Sequence, residues 1–67
     1  GLDDRSRELA ATGFGAFDAR HIAWAEVRGA DVFLTTDDRM LKLAARQRSS
    51  LRVRVVGPLE FVQEVEL

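Results

Sequence analysis

Sixty-seven residues, 46% of them hydrophobic and 31% charged, leave room for one globular domain and exclude the collagenous, low-complexity and acidic-disordered classes. With a formal net charge of -1 and no cysteine, neither a disulfide framework nor a Cys-ligated zinc site is open to the chain. No apolar stretch approaches the ~18 residues of a membrane span, and the charged start lacks the apolar core of a signal peptide, so a soluble, cytoplasmic protein with no membrane partner is the expectation. The chain opens on Gly1 and its only methionine is Met40, which suggests a fragment of something longer.

Asp3 or Asp4 can cap a first helix running to about Thr12, with Leu2, Leu9 and Ala10 as apolar contacts and Gly13 where left-handed backbone is cheap. From Phe17 to Arg28, the residues Asp18, His21, Ile22 and Ala25 recur at helical spacing, with Phe17 and Trp24 on an adjoining stripe. Gly29 ends that helix. Asp31-Val32-Phe33-Leu34-Thr35 is then a short apolar run, expected to be a strand covered on both faces, as in a parallel sheet. Thr36, Asp37 or Asp38 can cap a third helix to about Arg48, with Met40, Leu41, Leu43, Ala44 and Ala45 facing inward. Leu51 to Val56 alternates at period two, which predicts an edge strand with a wet arginine face. Pro58 suits the first turn of a last helix carrying Leu59, Val62 and Val65 on one stripe, although Phe61 to Leu67 can also be read as a strand. The predicted order is α, α, β, α, β, α: an α/β fold with two parallel strands joined by a right-handed helical crossover.

Charge is partitioned along the chain. Residues 1–38 hold four arginines against eight acids, while residues 39–59 hold six cations, Arg39, Lys42, Arg46, Arg48, Arg52 and Arg54, and no acid. Such a block reads as a solvated face whose cations complement a helix C-terminus, or as a phosphate-attracting surface beside the Asp37-Asp38 pair.

In open α/β sheets ligands bind outside the carboxyl ends of the strands, which is where Thr35-Thr36-Asp37-Asp38 falls. Asp37 is either a helix N-cap or a ligand for a hard divalent cation, since carboxylates can hold Mg²⁺ or Mn²⁺ through few protein oxygens and several waters. Asp18, in the first turn of its helix yet on the stripe of Ile22 and Ala25, is either a dipole-complementing residue or a second carboxylate converging on the same cation. His21, one turn later, reads by default as a hydrogen-bonded core histidine, with general base or metal ligand as the alternative. Gly13-Phe14-Gly15 lacks both a preceding strand and a third glycine, so it is no dinucleotide loop, and Phe14 and Trp24 read as core or interface residues.

Three segments taken together, Phe17-Asp18-Ala19-Arg20-His21-Ile22-Ala23-Trp24-Ala25-Glu26, Gly29-Ala30-Asp31-Val32-Phe33-Leu34-Thr35-Thr36-Asp37 and Val55-Val56-Gly57-Pro58-Leu59-Glu60-Phe61, resemble the C-terminal half of PIN-domain ribonucleases, including the VapC-like toxins of toxin–antitoxin pairs. The resemblance runs from about Leu9 to Phe61. It implies an incomplete PIN-like three-layer fold with flanking helices, and an endoribonuclease chemistry in which three or four acids hold Mg²⁺ or Mn²⁺ and activate water for attack on an RNA phosphodiester. Asp18 and Asp37 match two of the family's metal-holding, catalytic acids, Thr35 matches a supporting hydroxyl, and Asp38 is an acidic neighbour. The family's opening strand with its acid, and a glutamate from a helix before Asp18, have no counterpart in this sequence; Asp3, Asp4 and Glu8 do not match those contexts. Half of an acidic site is therefore expected.

Under that reading Arg39, Lys42, Arg46 and Arg52 are expected to contact RNA phosphates, and an antitoxin protein is a candidate partner. The competing reading is a non-catalytic, split or degenerate module that docks a partner chain through Phe14, Phe17 and Trp24. Either reading leaves the Val32-Phe33-Leu34 strand with an uncovered edge, which predicts a homo-oligomer or association with an N-terminal half.

Overall fold

The computed structural model describes residues 1–65. Four helices surround a two-stranded parallel sheet, an α/β arrangement in the order α1 (Leu2–Ala11), α2 (Ala16–Val27), β1 (Val32–Leu34), α3 (Asp38–Arg46), a 3₁₀ turn (Arg48–Ser50), β2 (Arg54–Val56) and α4 (Pro58–Val65). None of these helices is long and apolar enough to cross a membrane.

Gly1, rather than Asp3 or Asp4, is the N-cap of α1; both aspartates lie inside the first turn, where their charge complements the helix dipole. At the other end Thr12 closes the helix through its own N–H, 3.1 Å from the Leu9 carbonyl, and Gly13 follows with φ of 118°. A β-carbon at Gly13 would stand 3.3 Å from Leu43 Cδ2 as well as occupying left-handed backbone. Gly13→Ala is therefore expected to cost about 1–3 kcal/mol, read as a lowered urea midpoint.

The inward side of α2 is small: Ala19, Ile22 and Ala23 are buried, which lets α1 and α2 form the most extensive interhelical packing in the fold. Its C-terminus is a Schellman closure, with Gly29 N–H bonded to Glu26 O at 3.0 Å, Ala30 N–H to Ala25 O at 2.9 Å, and Gly29 at φ 74°. The chain then enters β1, which pairs with β2 in the register Val32↔Arg54, Phe33↔Val55 and Leu34↔Val56. Because the strands are parallel, α3 must carry the chain back across the sheet, and it does so by burying Met40 and Ala44. Leu9, Phe14, Ala19, Ile22, Ala23, Met40, Ala44 and Val53 form the resulting core.

The strands are shorter and less covered than their composition predicts. The first spans Val32–Leu34 rather than Asp31–Thr35, and it is not covered on both faces: Leu34 is 49% exposed. The second is confined to Arg54–Val56. Ala45, expected on the inward face of α3, is exposed. On α4, which Pro58 starts, the stripe Leu59, Val62 and Val65 is exposed and Phe61 is half-buried. The alternative strand over Phe61 to Leu67 is ruled out for Phe61 to Val65, which are helical; its last two residues lie outside the described part.

One tie crosses the whole fold. Arg5 of α1 reaches Glu26 of α2 with Nε 2.7 Å from Oε1 and Nη2 3.0 Å from Oε2, and the same Nη2 donates to the Ser50 carbonyl at 2.6 Å. Glu26 Oε2 also accepts the Arg52 backbone N–H at 2.9 Å. This carboxylate, only 1% exposed, thus joins both N-terminal helices to the segment that leads into β2.

Candidate metal centre

Asp37 has the capping role expected of it. Its Oδ1 accepts from the N–H groups of Arg39 at 3.0 Å and Met40 at 3.2 Å, and Oδ2 takes no part in the cap. Thr35 holds the residue from behind, its Oγ1 accepting the Asp37 N–H at 3.1 Å. The β1–α3 turn is thereby fixed with one carboxylate oxygen committed to the helix and the other outside the cap.

Asp18 arrives from the other side. It occupies the third helical position of α2 behind the Gly15 N-cap, and its carboxylate lies back over that start: a β-carbon on Gly15 would stand 3.9 Å from Asp18 Oδ2. Asp18 is half-buried and Asp37 exposed. Both line one cavity of about 150 Å³, whose remaining wall is Gly13, Phe14, Gly15, Arg39, Met40 and Leu43. Two aspartates 19 residues apart in sequence therefore border a common space just beyond the carboxyl end of β1.

Two oxygen-rich groups, one of them rigidly capped, suit a hard cation such as Mg²⁺ or Mn²⁺ that keeps most of its waters. Among the described residues no group of three or more His, Cys, Asp or Glu side chains comes together, so the pair does not make a full acidic cage. Asp38 is the exposed first residue of α3 and does not line the cavity, and Asp3, Asp4 and Glu8 on α1 stand outside it as well.

His21 departs from its expected place in the core. It is exposed and packs edge-on against Phe17, with ring centroids 4.3 Å apart, and it lies outside the carboxylate cavity. Of the aromatics read as core or docking residues, Phe14 is buried in the core, which removes it from any docking surface, whereas Phe17 and Trp24 are exposed. The physical reason is that Ala19, Ile22 and Ala23 already fill the side of α2 that meets α1.

The basic block divides by location. Arg39, Lys42 and Arg46 are exposed and follow one face of α3 at i, i+3 and i+7, starting at the carboxylate cavity. Arg52, together with Arg48, instead lines a larger depression of about 580 Å³ between α3, β2 and α4. Arg54 is neutralised by the acidic tail, its Nη1 lying 2.8 Å from Glu64 Oε2 with Glu60 beside it; hydrogen bonding to Arg54 holds the Glu64 carboxyl below the ordinary range.

The Glu26 carboxylate gave no functional signal in the sequence beyond sitting at helical spacing with Ala19, Ile22 and Ala23. Burial pushes its carboxyl up, but hydrogen bonds from Arg5 and the Arg52 backbone, with the Arg5 charge, outweigh burial and hold it below the ordinary value of 4.5. Compared with known proteins, the chain matches no family model, no curated protein and no solved structure.

Proposed function

We propose that this chain is the C-terminal part of a PIN-type, Mg²⁺- or Mn²⁺-dependent endoribonuclease of the toxin–antitoxin kind, contributing Asp18 and Asp37 to its acidic site. The observation that supports this reading most is that Asp18 and Asp37 both line one small cavity beyond the carboxyl end of β1. Both residues lie within the segments that carry the family resemblance.

Each residue has a role set by its surroundings. Asp37 offers Oδ2 to a cation while Oδ1 stays on the α3 backbone, and Thr35 keeps the turn from relaxing. Asp18 supplies the second carboxylate from the start of α2. A divalent cation bound there would lower the pKa of its water and neutralise charge on a phosphodiester. Arg39, on the wall of the same cavity, is positioned to offset the charge of an incoming phosphate, with Lys42 and Arg46 extending that field along α3.

The remaining acids would come from a preceding segment of the domain. RNA is then the substrate and an antitoxin the regulatory partner. Incubating the complete protein with single-stranded RNA, with Mn²⁺ and then with excess chelator, tests the reading. Cleavage that requires the metal supports it; the absence of cleavage, with no metal bound, favours the non-catalytic docking module.

Phosphate steering has its own signature. In the complete protein, replacing Lys42 and Arg46 with alanine is expected to reduce the slope of log affinity for RNA against log salt by about 1 for each phosphate no longer neutralised. The slope should not change for Arg54→Ala, since Glu60 and Glu64 already occupy that guanidinium.

A further inference from the structure

Helix α4 is tied to the fold by charge more than by packing. None of its residues is buried, and only Phe61 and Glu64 are even partly covered. Its acids reach back to β2 instead. Arg54 Nη1 donates to Glu64 Oε2 at 2.8 Å, Arg54 Nη2 donates to Glu64 Oε1, and Glu60 Oε1 stands 4.0 Å from that same Nη2. Hydrogen bonding to Arg54 holds the Glu64 carboxyl below the ordinary range, and the charges of Arg54 and Arg48 add to the effect. All three paired side chains are at least 36% exposed, and ion pairs this wet contribute little to stability.

Glu60 also borders the depression of about 580 Å³ between α3, β2 and α4, where Arg48, Arg52 and Arg54 gather. Asp31 is the other acid on its wall. Among the described residues neither Arg48 nor Arg52 has an ion-pair partner. The exposed row Arg39, Lys42 and Arg46 on α3 leads from the carboxylate cavity toward Arg48 at the rim of this depression.

We propose that the depression binds the phosphodiester backbone of single-stranded RNA, and that α4 is an autoinhibitory arm whose Glu60 and Glu64 occupy Arg54 until RNA displaces them. A carboxylate presents to a guanidinium the same paired oxygens as a phosphate, so the arm is a built-in substitute for the ligand. A chain of evenly spaced phosphates fits a track of cations running from Arg39 to Arg52 better than a short acidic peptide does. Gly57 alone joins β2 to α4, so the arm can pivot there with the β1–β2 pairing intact. The site extends the RNA surface of the ribonuclease reading, on which it rests, but it needs neither Asp18 nor Asp37. Binding measured with excess chelator therefore separates its failure from that of the cation site.

Fluorescence anisotropy of a labelled oligouridylate of about 12 nucleotides, followed over a salt series, compares the full chain with its Glu60→Gln/Glu64→Gln variant. The variant is expected to bind about five- to ten-fold more tightly at ~0.1 M salt, with a slope of log affinity against log salt steeper by about 1, as one further phosphate is engaged. Arg54→Ala should be silent in the parent and should cancel that gain in the variant, which a general rise in positive charge would not do. If the variant loses its helical circular dichroism, titration of the ¹⁵N-labelled parent decides: the Arg54 Nε resonance should shift together with the α4 amides as oligouridylate binds. Equal affinity and slope in the two chains, a gain that survives Arg54→Ala, or an Arg54 resonance that stays in place overturns the proposal. So does binding of polyglutamate to the variant as tightly as oligouridylate, which would make the depression a site for an acidic polypeptide.

Discussion

Glu26→Ala is expected to leave this chain unfolded at neutral pH. The substitution leaves a guanidinium that is only 18% exposed with Glu8, 3.5 Å away, and the Ser50 carbonyl as its remaining partners, and it takes the acceptor away from the Arg52 backbone N–H. Breaking a buried, hydrogen-bonded pair from one side costs about 3–5 kcal/mol. A core of this size supplies roughly the same amount in total, so little or nothing is left. Arg5→Ala should be the more severe of the two: it leaves the Glu26 carboxylate, only 1% exposed, without a counter-ion and with the Arg52 backbone N–H as its remaining donor. Circular dichroism of the two variants, with and without a stabilising osmolyte, measures the difference.

The same pair fixes how stability depends on pH. Glu26 has its folded pKa held below the ordinary 4.5, so the unfolded chain takes up the proton more readily than the folded one. Its contribution is complete above the unfolded value and is lost as pH falls through the depressed folded value. The urea midpoint should therefore be flat from neutral pH down to about 5 and fall steeply below ~4. In Glu26→Gln, which keeps an acceptor but no charge, that acid-side fall should be smaller and the whole curve lower.

The second large effect concerns activity without stability. In the complete protein Asp18→Asn and Asp37→Asn are each expected to abolish metal-dependent RNA cleavage, by a factor of roughly 10² or more, because a neutral amide neither charges the site nor holds a hard cation. Neither should unfold the chain. Asn at position 37 keeps an oxygen to cap the Arg39 and Met40 N–H groups, whereas Asp37→Ala removes it and should cost about 1 kcal/mol as well as the activity. Parallel measurement of cleavage and of the urea midpoint separates the two roles of this residue. Full activity in both Asn variants would return Asp37 to being a cap and Asp18 to a residue that complements the helix dipole.

How much of this could be read without coordinates varies with the kind of signal. Helix α3 was legible because Asp37, Met40 and Ala44 give a cap and an inward face at matching spacing, and the parallel pairing followed from an apolar run, a helix and an alternating run in that order. That Asp18 and Asp37 border the same cavity was legible for a related reason: α2 leads through Gly29 into β1, so the start of one element and the exit of the next lie at the same end of the fold. Burial was much less legible. Val32-Phe33-Leu34 looks fully enclosed by composition, but enclosure depends on neighbours the local sequence does not encode, and Leu34 stands half in water. His21 misleads in the same way, since its place at helical spacing with Ile22 and Ala25 does not say which surface covers it. Glu26 was invisible because a buried carboxylate is recognised by Arg5, 21 residues earlier, and by the backbone of Arg52, 26 residues later.

The proposed Asp18–Asp37 cation site is tested most directly by titrating the ¹⁵N-labelled chain with Mn²⁺ and following paramagnetic broadening of its amide resonances. Binding by only two carboxylates should be weak, in the millimolar range. Broadening is expected first at Gly13, Gly15, Asp18, Asp37 and Met40, the residues on or beside the shared cavity, to be reversed by excess Mg²⁺, and to vanish in Asp18→Asn and in Asp37→Asn. Broadening centred instead on the acidic ends at Asp3, Asp4, Glu60 and Glu64, or unchanged in both variants, would contradict the account.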